Sequence, residues 1–122
     1  PLHLASAYAA LVNGGIYRPA TLLKLEEGRV PQGRRVFTEA TSARMRQLLR
    51  MIVASGTGTR ADAEGYRVGG KTGSAERAVD GRYVRNSVVA TFAGAFPMDR
   101  PRYVVLVMID RPPGNAYSLG QR

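Results

Sequence analysis

Residues 65–76 read GYRVGGKTGSAE, and two incompatible motifs overlap in that stretch. Gly65, Gly70, Lys71 and Thr72 satisfy G-x-x-x-x-G-K-[ST], the loop whose backbone N–H groups cradle phosphate in nucleotide hydrolases. Lys71, Thr72 and Gly73 also spell K-T-G, a triplet of serine acyl-transfer enzymes. The first motif needs a buried strand before it and a helix after it. The second needs Lys71 on an edge strand of an antiparallel sheet, beside a cleft. The flanking residues therefore decide the fold.

A phosphate loop works because the first N–H groups of the following helix point at the anion. The residues before Gly65, SGTGTRADAE, are polar and contain Gly, and offer no apolar strand. After Gly73 only a few residues precede Asp80-Gly81, too few for the required helix. Val104 to Asp110 does imitate the apolar strand ending in Asp that accompanies such loops, the one feature in favour of a nucleotide-binding module. On a strand, by contrast, Thr72 and Ser74 share a face, so that two hydroxyls can hold a carboxylate together. Gly73 leaves room for a ligand backbone to lie against the strand. Alternation points Lys71 to the other face, and a bulge at Gly69-Gly70 is the expected device for turning it into the same cleft.

Outward from this stretch, periodicity divides the chain in two. Leu4, Ala7, Tyr8, Leu11 and Val12 recur at helical spacing, and Asn13-Gly14-Gly15 is a stop, which predicts a helix over Pro1–Asn13 with that stripe buried. Ile16–Leu25 reads as extended with a bend or edge at Pro19, and Glu26–Arg35 as a polar loop. Thr38 can cap a second helix ending before Gly56. Its apolar stripe is Met45, Leu48, Leu49, Ile52 and Val53, with Arg44, Arg46, Gln47 and Arg50 facing water. The second half changes period: Tyr66–Glu76, Ser87–Phe96 and Tyr103–Asp110 read as strands, the last two apolar on both faces and so expected to be covered on both. Their connections are too short for crossover helices, which predicts an antiparallel three-strand meander.

Composition sets the outer limits. The 122 residues suffice for one hydrophobic core, and no second domain is visible. Pro1 opens directly onto a helical pattern and the polar Gly114–Arg122 tail has no closing element, so the sequence reads as a fragment of a longer chain. Without Cys and with a single His, His3, thiolate and zinc sites are not expected, nor is any metal or cofactor. His3 reads as a surface residue or a satisfied core contact. No run approaches the ~18 apolar residues of a membrane span. The net charge of +9 raises a nucleic-acid or other basic polymer-binding reading. The sixteen Arg are scattered, however, without the dense run or interleaved aromatics of a nucleic-acid face, and no nucleic-acid partner is expected. Lys24 and Lys71 are the only lysines, so a Lys in the glycine-rich stretch stands out: its compact ammonium has a shiftable pKa that Arg lacks.

The longer stretches GGKTGSAE and DGRYVRNSVVATFAGAFPMDRPRYVVLVMIDRP resemble the C-terminal part of the transpeptidase domain of class B penicillin-binding proteins, most closely the septal, cell-division type of Gram-negative bacteria. PLHLASAYAALVNGGIYRPATLLK is similar to the family helix that packs below the active site. The resemblance implies that Lys71 organises the proton network and positive field of the site. It implies that Thr72 and Ser74 hold the carboxylate of a D-Ala-D-Ala stem peptide or a β-lactam, with Gly73 between them, and that the Ser74 N–H forms half of an oxyanion hole. It also implies a periplasmic parent, anchored in the inner membrane by an N-terminal segment and working with divisome proteins. The family's other motifs, S-x-x-K and S-x-N, are absent: none of Ser6, Ser42, Ser55, Ser74, Ser87 and Ser118 has Lys three residues on or Asn two residues on. In the family both lie far upstream of K-T-G.

The reading is thus of residues 1–122 as a C-terminal fragment of one α+β transpeptidase domain, a three-strand meander carrying K-T-G within a larger helix-covered sheet. A β-lactamase or β-lactam sensor of the same fold is the alternative within that class. Tyr83 and Arg85 are candidates for the cleft mouth, and Thr57 and Thr59 for shaping the approach to the Lys71 strand.

Overall fold

The computed structural model describes residues 1–112, the side chains of Arg85 and Asn86 excepted. The Gly114–Arg122 tail and the proposed role of Arg85 lie outside the described residues.

Helix α1 spans Leu2–Val12 and stops at Asn13, after which Gly14 and Gly15 take positive φ of 95° and 92°. The Asn13 amide brackets the next backbone: Nδ2 donates to the Ile16 carbonyl at 2.7 Å and Oδ1 accepts the Ile16 N–H at 2.9 Å. The face α1 buries is not the full predicted stripe. Ser6, Ala10 and Val12 are buried and Tyr8 and Leu11 half-buried, whereas Leu4 and Ala7 are exposed. Small residues let the helix approach its neighbours closely, and Ser6 satisfies its hydroxyl within the helix on the Leu2 carbonyl at 2.9 Å. Of the extended segment expected over Ile16–Leu25, only Ile16–Tyr17 forms a strand, β1. Its partner β2 is just Arg34–Arg35, antiparallel to it, and the intervening chain is irregular.

Helix α2, Glu39–Ser55, begins as predicted with Thr38 as N-cap, its Oγ1 accepting the Thr41 N–H at 3.1 Å. Leu49 and Val53 are buried, Met45 and Ile52 half-buried, and Leu48 is half exposed. Arg44 and Gln47 face water, but Arg46 and Arg50 are half-buried, contrary to the pattern reading. The last carbonyls of α1 have no partner within their helix, and α2 supplies them. Ser42, fully buried, donates to the Leu11 carbonyl at 2.7 Å and accepts the Gly14 N–H at 3.0 Å. Arg46 Nη1 donates to the Val12 carbonyl at 3.2 Å, placing a cation where the helix dipole is negative.

After a short 3₁₀ turn, Thr59–Ala61, come strands β3 (Gly69–Val79), β4 (Arg82–Phe96) and β5 (Tyr103–Asp110), antiparallel in the order β3-β4-β5. The meander is as predicted, although β3 and β4 run further into the hairpin. Asp80 and Gly81 turn it with φ of 49° and 74°, the pair of positive values a type I′ turn requires. Between Glu76 and Ala78 the register shifts, with Ala78 opposite Tyr83 but Glu76 opposite Val88.

Alternation sends Ala95 and Val104 towards the helices, where Val12, Leu49, Ala95 and Met98 form the core with Tyr8, Leu11, Ile52 and Val104 around it. Burying a side chain such as Leu49 contributes about 1.5–3 kcal/mol. The approach is closest at Gly69, where a Cβ would stand 3.0 Å from the Arg50 nitrogen and 3.1 Å from the Leu49 carbonyl carbon. The expectation that both faces of the sheet are covered is not met among the described residues: Val105, Val107 and Ile109, on the face away from the helices, are 41%, 47% and 51% exposed.

Candidate active site

Lys71, Thr72, Gly73 and Ser74 lie consecutively on β3, opposite Ala93, Phe92, Thr91 and Ala90 of β4. The strand continues to Val79 and no helix follows Thr72, so the phosphate-loop reading is overturned.

β3 is the edge of its sheet, and the hydrogen-bond parity shows which groups it offers outward. The Val88 carbonyl accepts the Arg111 N–H at 3.0 Å and is thus turned towards the β5 side. Along β4 the same then holds for Ala90 and Phe92. Their antiparallel partners Ser74 and Thr72 are the pairs that exchange no ladder bonds, so both direct N–H and C=O to the free edge. One short segment thereby presents two hydroxyls on one face and two outward backbone N–H groups.

Lys71 joins them without the predicted bulge, since the register from Gly69 to Glu76 is unbroken. Its side chain starts on the helix face and wraps around the open edge. There Nζ donates to the Thr72 carbonyl at 2.7 Å and reaches 3.5 Å from Thr72 Oγ1. A long flexible side chain on an edge strand achieves what alternation forbids in the middle of a sheet. Thr72 Oγ1 also lies 3.1 Å from Thr57 Oγ1, which follows α2, so Thr57 stands against the Lys71 strand. Thr59 lies in the 3₁₀ turn.

The room at Gly73 has a local cause that sequence reasoning missed. A Cβ there would meet Thr91 Oγ1 at 2.6 Å, and that hydroxyl donates to the Gly73 carbonyl at 3.3 Å. The available signal was a lone Thr inside the apolar run VVATFAGAF. Beside Thr72, a recess of about 240 Å³ is lined by Ala90, Phe92, Val107, Ile109 and Arg60. Tyr83 does not line it. It sits near the hairpin tip opposite Ala78, six residues along β3 from Thr72, which at ~3.3 Å per residue is about 20 Å away. His3 is on the surface.

The entry to β3 is clamped by Arg50. Its Nη1 donates to Asp62 Oδ1 and to the Val68 carbonyl, both at 2.7 Å, and Nη2 donates to Asp62 Oδ2 at 3.1 Å. These hydrogen bonds, with the attraction between the charges, lower the Asp62 pKa from its ordinary value and raise that of Arg50. The clamp ties α2 and the segment before β3 to the strand bearing Lys71. Among the described residues, no cluster of three or more His, Cys, Asp or Glu is placed to hold a metal ion, and no helix is long and apolar enough to cross a membrane.

An antiparallel sheet with helices on one face and K-T-G on its free edge defines the class of fold, an α+β arrangement. The whole chain, residues 1–122, matches the family described as "Penicillin binding protein transpeptidase domain", and the chain belongs to that family. It is 46% identical over 129 residues to the "Probable peptidoglycan D,D-transpeptidase FtsI" of Caulobacter vibrioides, covering 98% of this chain and 22% of that protein. The transpeptidase domain of Burkholderia pseudomallei penicillin-binding protein 3, solved in its apo form, superposes with a TM-score of 0.86 at 39% identity, over 97% of this chain and 36% of that one. Penicillin-binding protein 3 of Mycobacterium tuberculosis complexed with ampicillin gives 0.76 at 30% identity, over 97% and 32%. The chain thus spans about a fifth of the length of its curated relative.

Proposed function

We propose that residues 1–122 are the C-terminal, K-T-G-bearing portion of a peptidoglycan D,D-transpeptidase of the septal type. In the parent, a serine outside this chain attacks the penultimate D-Ala carbonyl of a stem peptide. The C–N bond to the terminal D-Ala breaks, D-Ala leaves with a proton, and the acyl group passes to an amine of a neighbouring peptide, regenerating the serine. β-Lactams acylate the same serine. Thr72 and Ser74 hold the substrate carboxylate, and the Ser74 N–H contributes half of the oxyanion hole. Gly73 lets the ligand backbone run along the strand, and Lys71 supplies positive field and orders proton transfer. The setting is the periplasmic face of the inner membrane, with an N-terminal anchor and divisome partners belonging to the parent.

The observation that carries the proposal is the free edge at Thr72 and Ser74, with the Lys71 ammonium wrapped onto it. Its test is acylation of the intact parent by a fluorescent penicillin. Lys71→Ala is expected to slow acylation by roughly 10²–10⁴, the scale of losing a positioned proton-transfer or charge-stabilising group. Normal acylation in that variant would reduce K-T-G to a structural strand.

A further inference from the structure

We infer that Thr57 is a positioning residue that fixes the Thr72 hydroxyl as a hydrogen-bond donor and so selects a carboxylate at that subsite. The inference rests on the transpeptidase reading above. Thr57 and Thr72 are fifteen residues apart in sequence, and their hydroxyl oxygens are 3.1 Å apart. Lys71 Nζ approaches the same Thr72 oxygen at 3.5 Å. A threonine hydroxyl has one proton and two lone pairs, and an ammonium can only donate. The direction of the bond between the two threonines therefore decides what Thr72 can offer a ligand.

If Thr72 donated to Thr57, its only proton would be spent inside the protein and it would face the ligand with a lone pair. A carboxylate, itself acceptor-only, would be repelled. If Thr57 donates, Thr57 and Lys71 occupy both lone pairs of Thr72 Oγ1, and the remaining proton points in the third direction, away from both. Two facts select this second arrangement. Thr57 has no other side-chain hydrogen bond among the described residues, so its proton is free for Thr72. The Lys71 charge attracts the negative end of the Thr72 hydroxyl dipole, leaving the positive end for the anion. Thr57 is thus no catalytic group. It touches no reacting atom and acts through Thr72.

The test uses the intact parent and benzylpenicillin, which carries a carboxylate, and separates the noncovalent dissociation constant from the limiting acylation rate. Thr57→Val keeps the shape and removes the proton. It is expected to weaken noncovalent binding about two- to tenfold, the range for one hydrogen bond, with the limiting rate little changed. Thr57→Ser restores the hydroxyl and should bind as the wild type does. In a Thr72→Val background Thr57→Val should have no further effect, because its target is gone. An equal loss in both backgrounds, or no rescue by Ser, would mean Thr57 merely supports the loop and would overturn the inference. So would unchanged binding in Thr57→Val with Thr72→Val impaired, which leaves the transpeptidase reading standing. If Thr72→Val itself binds and acylates normally, the carboxylate site assigned to this strand falls, and the role of Thr57 with it.

Discussion

The two serines buried among the described residues give a paired prediction in which the same substitution has different consequences. Ser42 is fully buried and joins two helices, satisfying the Leu11 carbonyl and the Gly14 N–H with one hydroxyl. Neither is satisfied within α1: the Gly15 N–H, four residues on from Leu11, goes to the Ala10 carbonyl instead, at 3.1 Å. Ser42→Ala therefore leaves a donor and an acceptor stranded between α1 and α2. Each costs about 1–3 kcal/mol, and the low end applies because Leu11 and Gly14 are only half-buried. Alanine returns about 0.5 kcal/mol of helix propensity. The expected net loss is about 1.5 kcal/mol. Ser6→Ala is the control. Its hydroxyl bonds only to the Leu2 carbonyl one turn back, which already accepts the helical N–H, so its removal strands nothing. A change within about 0.5 kcal/mol is expected there. Urea unfolding of the parent's transpeptidase domain, compared at unchanged m-value, reads both. Equal effects of the two substitutions would refute the argument that Ser42 ties α1 to α2.

Two further predictions concern how β3 is held. Gly69→Ala places a methyl against the α2 backbone at Leu49 and Arg50, where only Met98 can yield, and is expected to cost about 1–3 kcal/mol in the same assay. The Arg50–Asp62 pair predicts a pH dependence: since the folded Asp62 pKa is depressed, its stabilisation is fully present above the unfolded value of about 3.9 and fades as pH falls through the folded one. Arg50→Met should thus be less stable than the wild type at neutral pH, with the difference shrinking in acid. A difference that grows on acidification would contradict the assignment.

What the sequence disclosed was local chemistry. Thr38 as cap, Asn13-Gly14-Gly15 as stop and Asp80-Gly81 as hairpin turn each act over a few residues, and each was legible. The short connections then forced the meander. What escaped was everything set by a distant partner. Arg46 and Arg50 read as solvated because their helical positions are polar, yet the carbonyls of Val12 and Val68 claim them from outside the helix. Leu4 and Ala7 satisfied the helical period but stay exposed, lining an open recess with Tyr17 of β1 and Arg34 of β2 instead of entering the core. At the site, alternation correctly paired Thr72 with Ser74. It failed for Lys71 because it describes where a side chain begins, and a lysine on a free edge ends elsewhere.

The register shift in the hairpin shows how far the site depends on something no motif records. From the Asp80-Gly81 turn, β3 steps two residues from Ala78 to Glu76 while β4 steps five from Tyr83 to Val88, so β4 carries three extra residues before regular pairing resumes. Three is odd, and side chains alternate with period two, so the excess exchanges the two faces of β4 relative to β3. Without it, the turn's own register would set Val89 opposite Thr72 and Val88 opposite Gly73. Thr91 would no longer stand against Gly73, nor Phe92 beside the Thr72 hydroxyl. The outward groups of β3 depend on β3 alone, but the recess behind them depends on this offset. K-T-G therefore supplies the free edge, and the irregularity far along the same hairpin determines which side chains of β4 stand behind it.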